Sequence, residues 1–432
     1  MSHINVIGAG LAGVEAAMQI ASRGIAVHLY EMKPIKRSPA HHIDGFAELV
    51  CSNSLKAERT ASAAGLLKQE MRRLGSICLE SADLVKVPAG GALAVERYGF
   101  SDYITARVKE NPLITVFNEV VTKIPEDEIT VIATGPLTDS ALAENIKALC
   151  GSDTLSFYDA AAPIVTAESI DTTKAFAAAR YGKGDDDYIN CPFNMEQYDL
   201  FHEALISAES APLHEFDKPL TVYEGCMPIE VLAKRGKDSI RFGPLKPVGL
   251  RDPNTGHRPW AVVQLRKENK EGTLYNLVGF QTNLKFPEQK RVFSMIPGLE
   301  NAEFVRFGVM HRNSFIDSPR LLSENLSLKT NPNIFFAGQL SGVEGYMESA
   351  ASGILAGINA VNRLEDKPPV ILPVDTMLGA LVGYITNPDT VKLQPMGANF
   401  GVLPPLEEKI RDKKERYSAL SKRALESLSK NI

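Results

Sequence analysis

The stretch HINVIGAGLAGVEAAMQIASRGIAVHLYE, residues 3–31, decides the fold. It reads as strand, glycine turn, helix, glycine stop and strand. An apolar run enters a turn at Gly8, a small-residue helix begins at Leu11 or Ala12, Arg23-Gly24 ends it, and a second apolar run closes on Glu31. Gly8, Gly10 and Gly13 carry the spacing G-x-G-x-x-G directly between strand and helix, the context in which this short motif becomes specific for a dinucleotide. Gly8 allows the tight turn, Gly10 lets the backbone approach a pyrophosphate, and Gly13 lets the helix pack on the strand. The segment Ala9, Leu11 and Ala12 then presents backbone amides to the anion at the helix N-terminus. Glu31 is placed to accept hydrogen bonds from an adenosine ribose, its carboxylate disfavouring a 2′-phosphate there.

Two later segments read as returning to the same sheet. EITVIATGPL (128–137) is a buried strand ending at Thr134-Gly135, and NIFFAGQLSGVEGYMESAASGILAGINAV (333–361) is a strand, a glycine-rich loop and a small-residue helix. The loop offers Gly338, Gln339, Gly342, Glu344 and Gly345 to the cofactor. A first strand and a strand some 300 residues later meeting on one ligand resembles the FAD enzymes of the glutathione-reductase type. The expected architecture is α/β: a Rossmann-like FAD-binding domain formed by 1–150 and 296–364, a large inserted α+β domain over 151–295, and a mostly helical C-terminal segment over 365–432. The Pro-rich EDKPPVILPV (365–374) is the linker into that segment. There is no second G-x-G-x-x-G and no C-x-x-C or C-x-x-x-x-C pair, so a pyridine nucleotide is expected to bind transiently and reduce the flavin.

Composition narrows the class. With 432 residues, 44% hydrophobic and 23% charged, the chain is long enough for more than one core. Five cysteines at irregular spacing suggest neither a disulfide framework nor a zinc site, and His41-His42 have no spaced carboxylates for a metal. The N-terminus has no basic leader and no apolar run reaches the ~20 residues that span a bilayer, so the expectation is a cytoplasmic protein without membrane or metal. The net charge of −5 leaves room for local basic faces. One is LAKRGKDSIRFGPLKP (232–247); the other is the tail EEKIRDKKERYSALSKRALESLSK (407–430), which also reads as an amphipathic helix with Leu406, Ile410, Tyr417, Leu420, Ala424 and Leu428 near one face.

Chemistry concentrates at TVYEGCMPIEVLAKRG (221–236). Cys226 sits in a turn between Gly225 and Met227-Pro228, near Lys234 and Arg235, and a turn beside positive charge is where a thiol of lowered pKa is found. FAELVCSNSLKAE (46–58), YEGCMPIEVLAKRG (223–236) and GQLSGVEGYMESAASG (338–353) together closely resemble the folate- and FAD-dependent tRNA (uracil-5-)-methyltransferases, relatives of the GidA flavoproteins, from Gly8 to about Phe400. The resemblance implies conversion of uridine 54 of the tRNA T-loop to 5-methyluridine, with carbon from 5,10-methylenetetrahydrofolate and electrons from NAD(P)H through FAD.

The residues suit that reaction. Uracil C5 is a poor nucleophile until a thiolate adds at C6, and the methylene group needs a hydride that reduced flavin supplies. Cys226 is the expected C6 nucleophile. Cys51, matching the family's other cysteine, is a base for the C5 proton, a partner of Cys226, or a group facing the flavin. His311 offers a ring to stack on a pterin and Arg312 a charge for an anionic group, while Asn53, Lys234 and Arg235 are expected at the substrate. Glu344 and Glu348 either meet cofactor or folate or, for Glu348, satisfy a helix N-terminus. Other readings are the same chemistry on ribosomal RNA, a flavin-dependent oxidoreductase acting on a small molecule, or a non-catalytic FAD-containing scaffold. Nothing in the sequence sets the oligomeric state or the choice between NADH and NADPH.

Overall fold

The computed structural model describes residues 3–38, 40–151, 155–160, 162–182, 187–211, 227–269, 272–308, 310–391 and 393–431, with the side chains of 155–160, 182 and 310–313 outside that description. The stretch 3–31 folds as its glycines dictate: strand His3–Ile7, helix Leu11–Ala21 and strand Ala26–Glu31. The two strands pair in parallel, Val6 opposite Leu29. On its other side His3–Ile7 pairs in parallel with Thr130–Ile132, which in turn pairs with Asn331–Phe336. Both later segments therefore enter the sheet, whose six strands run in the order 327–328, 331–336, 130–132, 3–7, 26–31, 114–118. Because the first strand has later strands on one side and its own βαβ partner on the other, a crevice opens at the carboxyl ends beside Gly8, where ligands of such sheets bind.

The helix Tyr346–Leu364 packs on Leu11–Ala21 through its small residues. A Cβ on Gly353 would lie 2.1 Å from the Ala12 carbonyl oxygen, and one on Gly357 2.8 Å from that of Ala16. The contacting positions advance together, Ala12 with Gly353 and Ala16 with Gly357, so the two helices run parallel with their N-termini at the same end.

A second sheet is antiparallel, in the order 176–177, 188–193, 261–267, 274–277, 164–166, 304–306. Its core includes Tyr198, Phe201 and Leu205 of helix Met195–Ser207 and Val292 and Phe293 of helix Phe286–Phe293. The last strand, Phe304–Arg306, lies beyond residue 295, where the sequence reading ended the insert. The signal was absent because a three-residue edge strand leaves no hydrophobic period. A ribbon of Leu155–Ala160 and Met310–Phe315 joins the two bodies. The regular elements described after residue 365 are helical: Met377–Thr386, a short turn at Phe400–Val402, and Lys413–Asn431. In the last helix Leu420, Ala424 and Leu428 are buried in the first core; Leu406 and Ile410 precede it.

Two buried carboxyls cap helices across the core. Glu15 accepts from Ser76 and from the amides of Ile77 (3.2 Å) and Cys78 (3.1 Å), at the start of helix Ile77–Leu84. Glu70 accepts from the amides of Met377 (2.7 Å) and Leu378 (2.9 Å). Burial pushes both carboxyls up to about 7. A carboxyl raised in the fold favours folding when protonated. Its contribution is full below the unfolded value near 4.5 and is lost as the pH rises through 7, by up to about 3 kcal/mol each. The urea midpoint is expected to fall between about pH 5 and 8, and Glu70→Gln to flatten that fall; an unchanged slope in the variant would contradict the assignment.

Candidate active site

The turn after the first strand has the geometry of a dinucleotide cradle. Gly8 has φ +98°, and a Cβ there would sit 2.7 Å from the Ala133 carbonyl oxygen. At Gly13 a Cβ would sit 1.7 Å from the Gly8 carbonyl oxygen, so strand and helix meet in backbone contact. Around Gly10, by contrast, nothing lies within 4 Å of the Cβ position, leaving the open approach that a pyrophosphate needs. The helix Leu11–Ala21 has no side-chain cap at Gly10, and Tyr346–Leu364 none at Gly345, which takes φ +118°. The uncapped start of Leu11–Ala21 is a place for an anionic phosphate, and the residues of its turn fit a bound dinucleotide, whereas the start of Tyr346–Leu364 already holds the Glu348 carboxylate.

Glu31 is held at the rim by backbone amides: Ala9 donates to one carboxylate oxygen at 2.8 Å and Lys33 to the other at 3.0 Å. Each oxygen keeps a lone pair for a ribose hydroxyl. Gly8, Ala9, Gly10, Glu31 and Thr134 line one cavity together with Lys33, Glu119 and Asp139, which the sequence reading did not name, and His41, which it weighed only as a metal ligand. Burial, then the nearby Lys33 charge, pushes the His41 imidazole down, so it faces the cavity neutral. Leu11 and Ala12 are buried in the first turn of the helix, and a Cβ on Gly338 would lie 3.2 Å from that of Ala12. Gly135, Gly338 and Gly342 all take positive φ in the turns that follow their strands. Gln339 and Glu344, expected at the cofactor, pair with each other at 2.8 Å. Glu348 binds Lys56 at 2.9 Å and the Ala398 amide at 2.9 Å; burial opposes its charge, but these partners outweigh it and hold the carboxyl below its usual range.

Cys51 lies beside the start of helix Tyr346–Leu364. The Tyr346 Oη accepts from the amides of Cys51 (2.7 Å) and Ser52 (3.1 Å) and is 2.8 Å from the Cys51 Sγ. A phenol oxygen has two lone pairs; with both filled by amides, its hydrogen is left for the sulfur, so tyrosine donates and cysteine accepts. Burial, then the Cys51 charge, pushes the Tyr346 phenol far up, keeping it a donor. Arginines surround the loop: Arg97 donates to the Leu49 carbonyl, Arg306 to the Val50 carbonyl, and Arg266 to Ser52 Oγ (2.8 Å) and Asn53 Oδ1 (3.0 Å). Positions 97, 266, 306 and 346 carry no shared spacing, and no sequence signal joins them.

Asn53 needs correcting. Its side chain is fully buried and donates to Val95 O (3.1 Å) and Lys267 O (2.8 Å) while accepting from Arg266, so it staples the second sheet to the first domain and presents no exposed group to a substrate. Cys226 lies outside the described residues. His311 and Arg312 lie on the strand Met310–Phe315 with their side chains outside the description; the backbone beside them is tied to the loops that follow two sheet strands, Ser314 N donating to Pro136 O and Ile316 N to Leu340 O. Lys234 and Arg235 are exposed at the end of helix Ile229–Ala233, eight and nine residues after Cys226, the last of the undescribed residues 212–226. Among the described residues no group of three or more His, Cys, Asp or Glu side chains could hold a metal ion, and no helix is long and apolar enough to cross a membrane.

Known proteins share this arrangement. The family described as Glucose inhibited division protein A matches residues 3–368. The methylenetetrahydrofolate-tRNA-(uracil-5-)-methyltransferase TrmFO of Halalkalibacterium halodurans is 59% identical over 99% of this chain and 98% of its own. That of Acetivibrio thermocellus is 58% identical over 100% and 99%. A solved structure of Aquifex aeolicus GidA superposes with a TM-score of 0.72 at 16% identity, over 99% of this chain and 73% of that one, which establishes the shared fold. The chain belongs to the Glucose inhibited division protein A family, among its methylenetetrahydrofolate-tRNA-(uracil-5-)-methyltransferases.

Proposed function

We propose that this protein methylates C5 of uridine 54 in the T-loop of tRNA, using 5,10-methylenetetrahydrofolate, FAD and NAD(P)H. The observation that carries the reading is the Cys51 thiol held by the Tyr346 phenol at the start of helix Tyr346–Leu364, the helix that packs on Leu11–Ala21 of the dinucleotide turn. The full-length likeness to the tRNA methyltransferases supplies the substrate class. Bound FAD, reduced by NAD(P)H, supplies the hydride that turns the methylene carbon into methyl and leaves tetrahydrofolate unoxidised.

The chain's residues do the rest. The Cys226 thiolate adds to C6 of the uracil, raising electron density at C5. After C5 has bonded to the methylene carbon, the Cys51 thiolate removes the C5 proton as the folate nitrogen leaves that carbon; once the methylene has been reduced to methyl, elimination at C6 frees the Cys226 thiolate. Tyr346 holds the Cys51 sulfur in place throughout. Glu31 and the amides of the 8–13 turn orient the dinucleotide; the strand carrying His311 and Arg312 borders the crevice where the folate enters. Exposed Lys234 and Arg235, with the basic helix Lys413–Asn431, meet tRNA phosphates while the uridine is turned out of its loop. The reaction takes place in the cytoplasm, where tRNA and reduced thiols coexist.

Mass spectrometry of tRNA nucleosides from a strain lacking the gene tests the proposal. In an organism with no other methyltransferase for the site, 5-methyluridine is expected to vanish from tRNA and return with the gene. Its persistence in tRNA would overturn the reading, and its loss from ribosomal RNA instead would reassign the substrate.

A further inference from the structure

The loop carrying Cys51 is gripped by guanidinium groups from both domains. Arg97 begins helix Arg97–Lys109 of the first domain; Arg266 stands on strand Ala261–Lys267 and Arg306 on Phe304–Arg306, both in the second sheet. Arg97 and Arg266 are only 7% and 6% exposed. Each arginine reaches the backbone or a side chain within residues 49–53, so each side chain holds the loop and brings its charge near the sulfur. Among the described residues the carboxylate bonded to one of these arginines is Glu268, 3% exposed, held through one oxygen by Arg97 at 3.0 and 3.2 Å while its other oxygen has no partner there. Glu48 and Glu96 line the cleft that reaches Arg97 and Arg306, but their carboxylates hold amides of residues 42–43 and 98–99. Lys56 and Glu348, on the far side near Gly345, pair with each other.

We propose that Arg97, Arg266 and Arg306 are positioning residues that keep Cys51 in its thiolate form, and that the thiolate exists only while the second domain is docked on the first. Guanidinium groups stay charged at any working pH, so positive charge buried beyond what Glu268 meets is a standing cost that a neighbouring anion relieves. The thiolate is that anion, and its lone pairs also take the Tyr346 hydrogen. Two of the three charges stand on the second sheet. A substrate that shifts that sheet therefore changes the thiol's proton affinity, returning the proton to solvent or drawing it back. Burial already pushes the Arg266 and Arg306 guanidinium groups down from their ordinary values, in keeping with charge that lacks full compensation.

The inference rests on Cys51 being a working thiol, and its test does not use turnover. Purified holoenzyme is treated with iodoacetamide across a pH series and each cysteine is followed by peptide mass spectrometry. Alkylation of Cys51 is expected to reach half its limiting rate at least about one pH unit below the ~8.5 of an ordinary thiol. Cys150, whose thiol burial pushes up to about 11, is the internal reference. Arg306→Gln is expected to raise the Cys51 midpoint by about one unit, slowing neutral-pH alkylation about tenfold, with Arg306→Lys restoring most of it. A wild-type midpoint at or above the ordinary value overturns the proposal even if the variant fails to fold, and so does an equal midpoint in wild type and folded Arg306→Gln. A low midpoint in a protein whose loss leaves tRNA 5-methyluridine intact would keep this charge arrangement and remove the reaction proposed above.

Discussion

Replacing Gly13 by alanine is expected to give a chain that purifies with at most about a tenth of the wild-type flavin and unfolds at lower temperature. The added Cβ would meet the Gly8 carbonyl oxygen at 1.7 Å, far inside contact distance. Neither side can yield cheaply: Gly8 is itself backed by the Ala133 carbonyl, 2.7 Å from its own Cβ position, and the helix is locked against Gly353 and Gly357. Overpacking of this kind costs about 1–3 kcal/mol and here displaces the amides that face the pyrophosphate. Gly10→Ala separates the two effects. With nothing within 4 Å of its Cβ position, that methyl group is expected to leave the unfolding temperature of the flavin-free protein unchanged while still weakening FAD retention. Flavin absorbance per protein and a thermal melt measure both. A Gly13→Ala protein that melts and binds flavin as wild type does would refute the backbone-contact argument.

The second large effect concerns the thiols. Cys51→Ala and Cys226→Ala are each expected to lower methylation by about three orders of magnitude or more, and the double variant to be little worse than either, because the two groups act in one sequence. Trapping distinguishes their roles. A T-arm RNA with 5-fluorouridine at the target carries fluorine where the C5 proton would be, so the adduct forms and cannot be resolved. It is expected to attach covalently to wild type and to Cys51→Ala, and not to Cys226→Ala. Attachment that survives loss of Cys226 but not of Cys51 would exchange the two assignments.

What was legible in the sequence follows from range. Gly8, Gly10, Gly13 and Glu31 lie within one βαβ unit, where each residue's task is set by its neighbours and the spacing alone states it. The strands at 130–132 and 331–336 were legible for the same reason, being apolar runs that end at a glycine. Asn53 was misread because its surroundings come from residues 95, 266 and 267, and nothing in Cys-Ser-Asn-Ser tells a buried interdomain staple from a polar site.

By itself, then, the sequence determined the dinucleotide half of this protein, since a tight turn, a close helix and an anion site are local demands on the backbone. Only the tertiary structure decided the setting of Cys51. Its phenol and its guanidinium groups are brought from positions 97, 266, 306 and 346 by two sheets packing together. The turn beside Lys234 and Arg235 advertised positive charge in the sequence, but burial gives a charge its reach, and burial is a property of the folded chain.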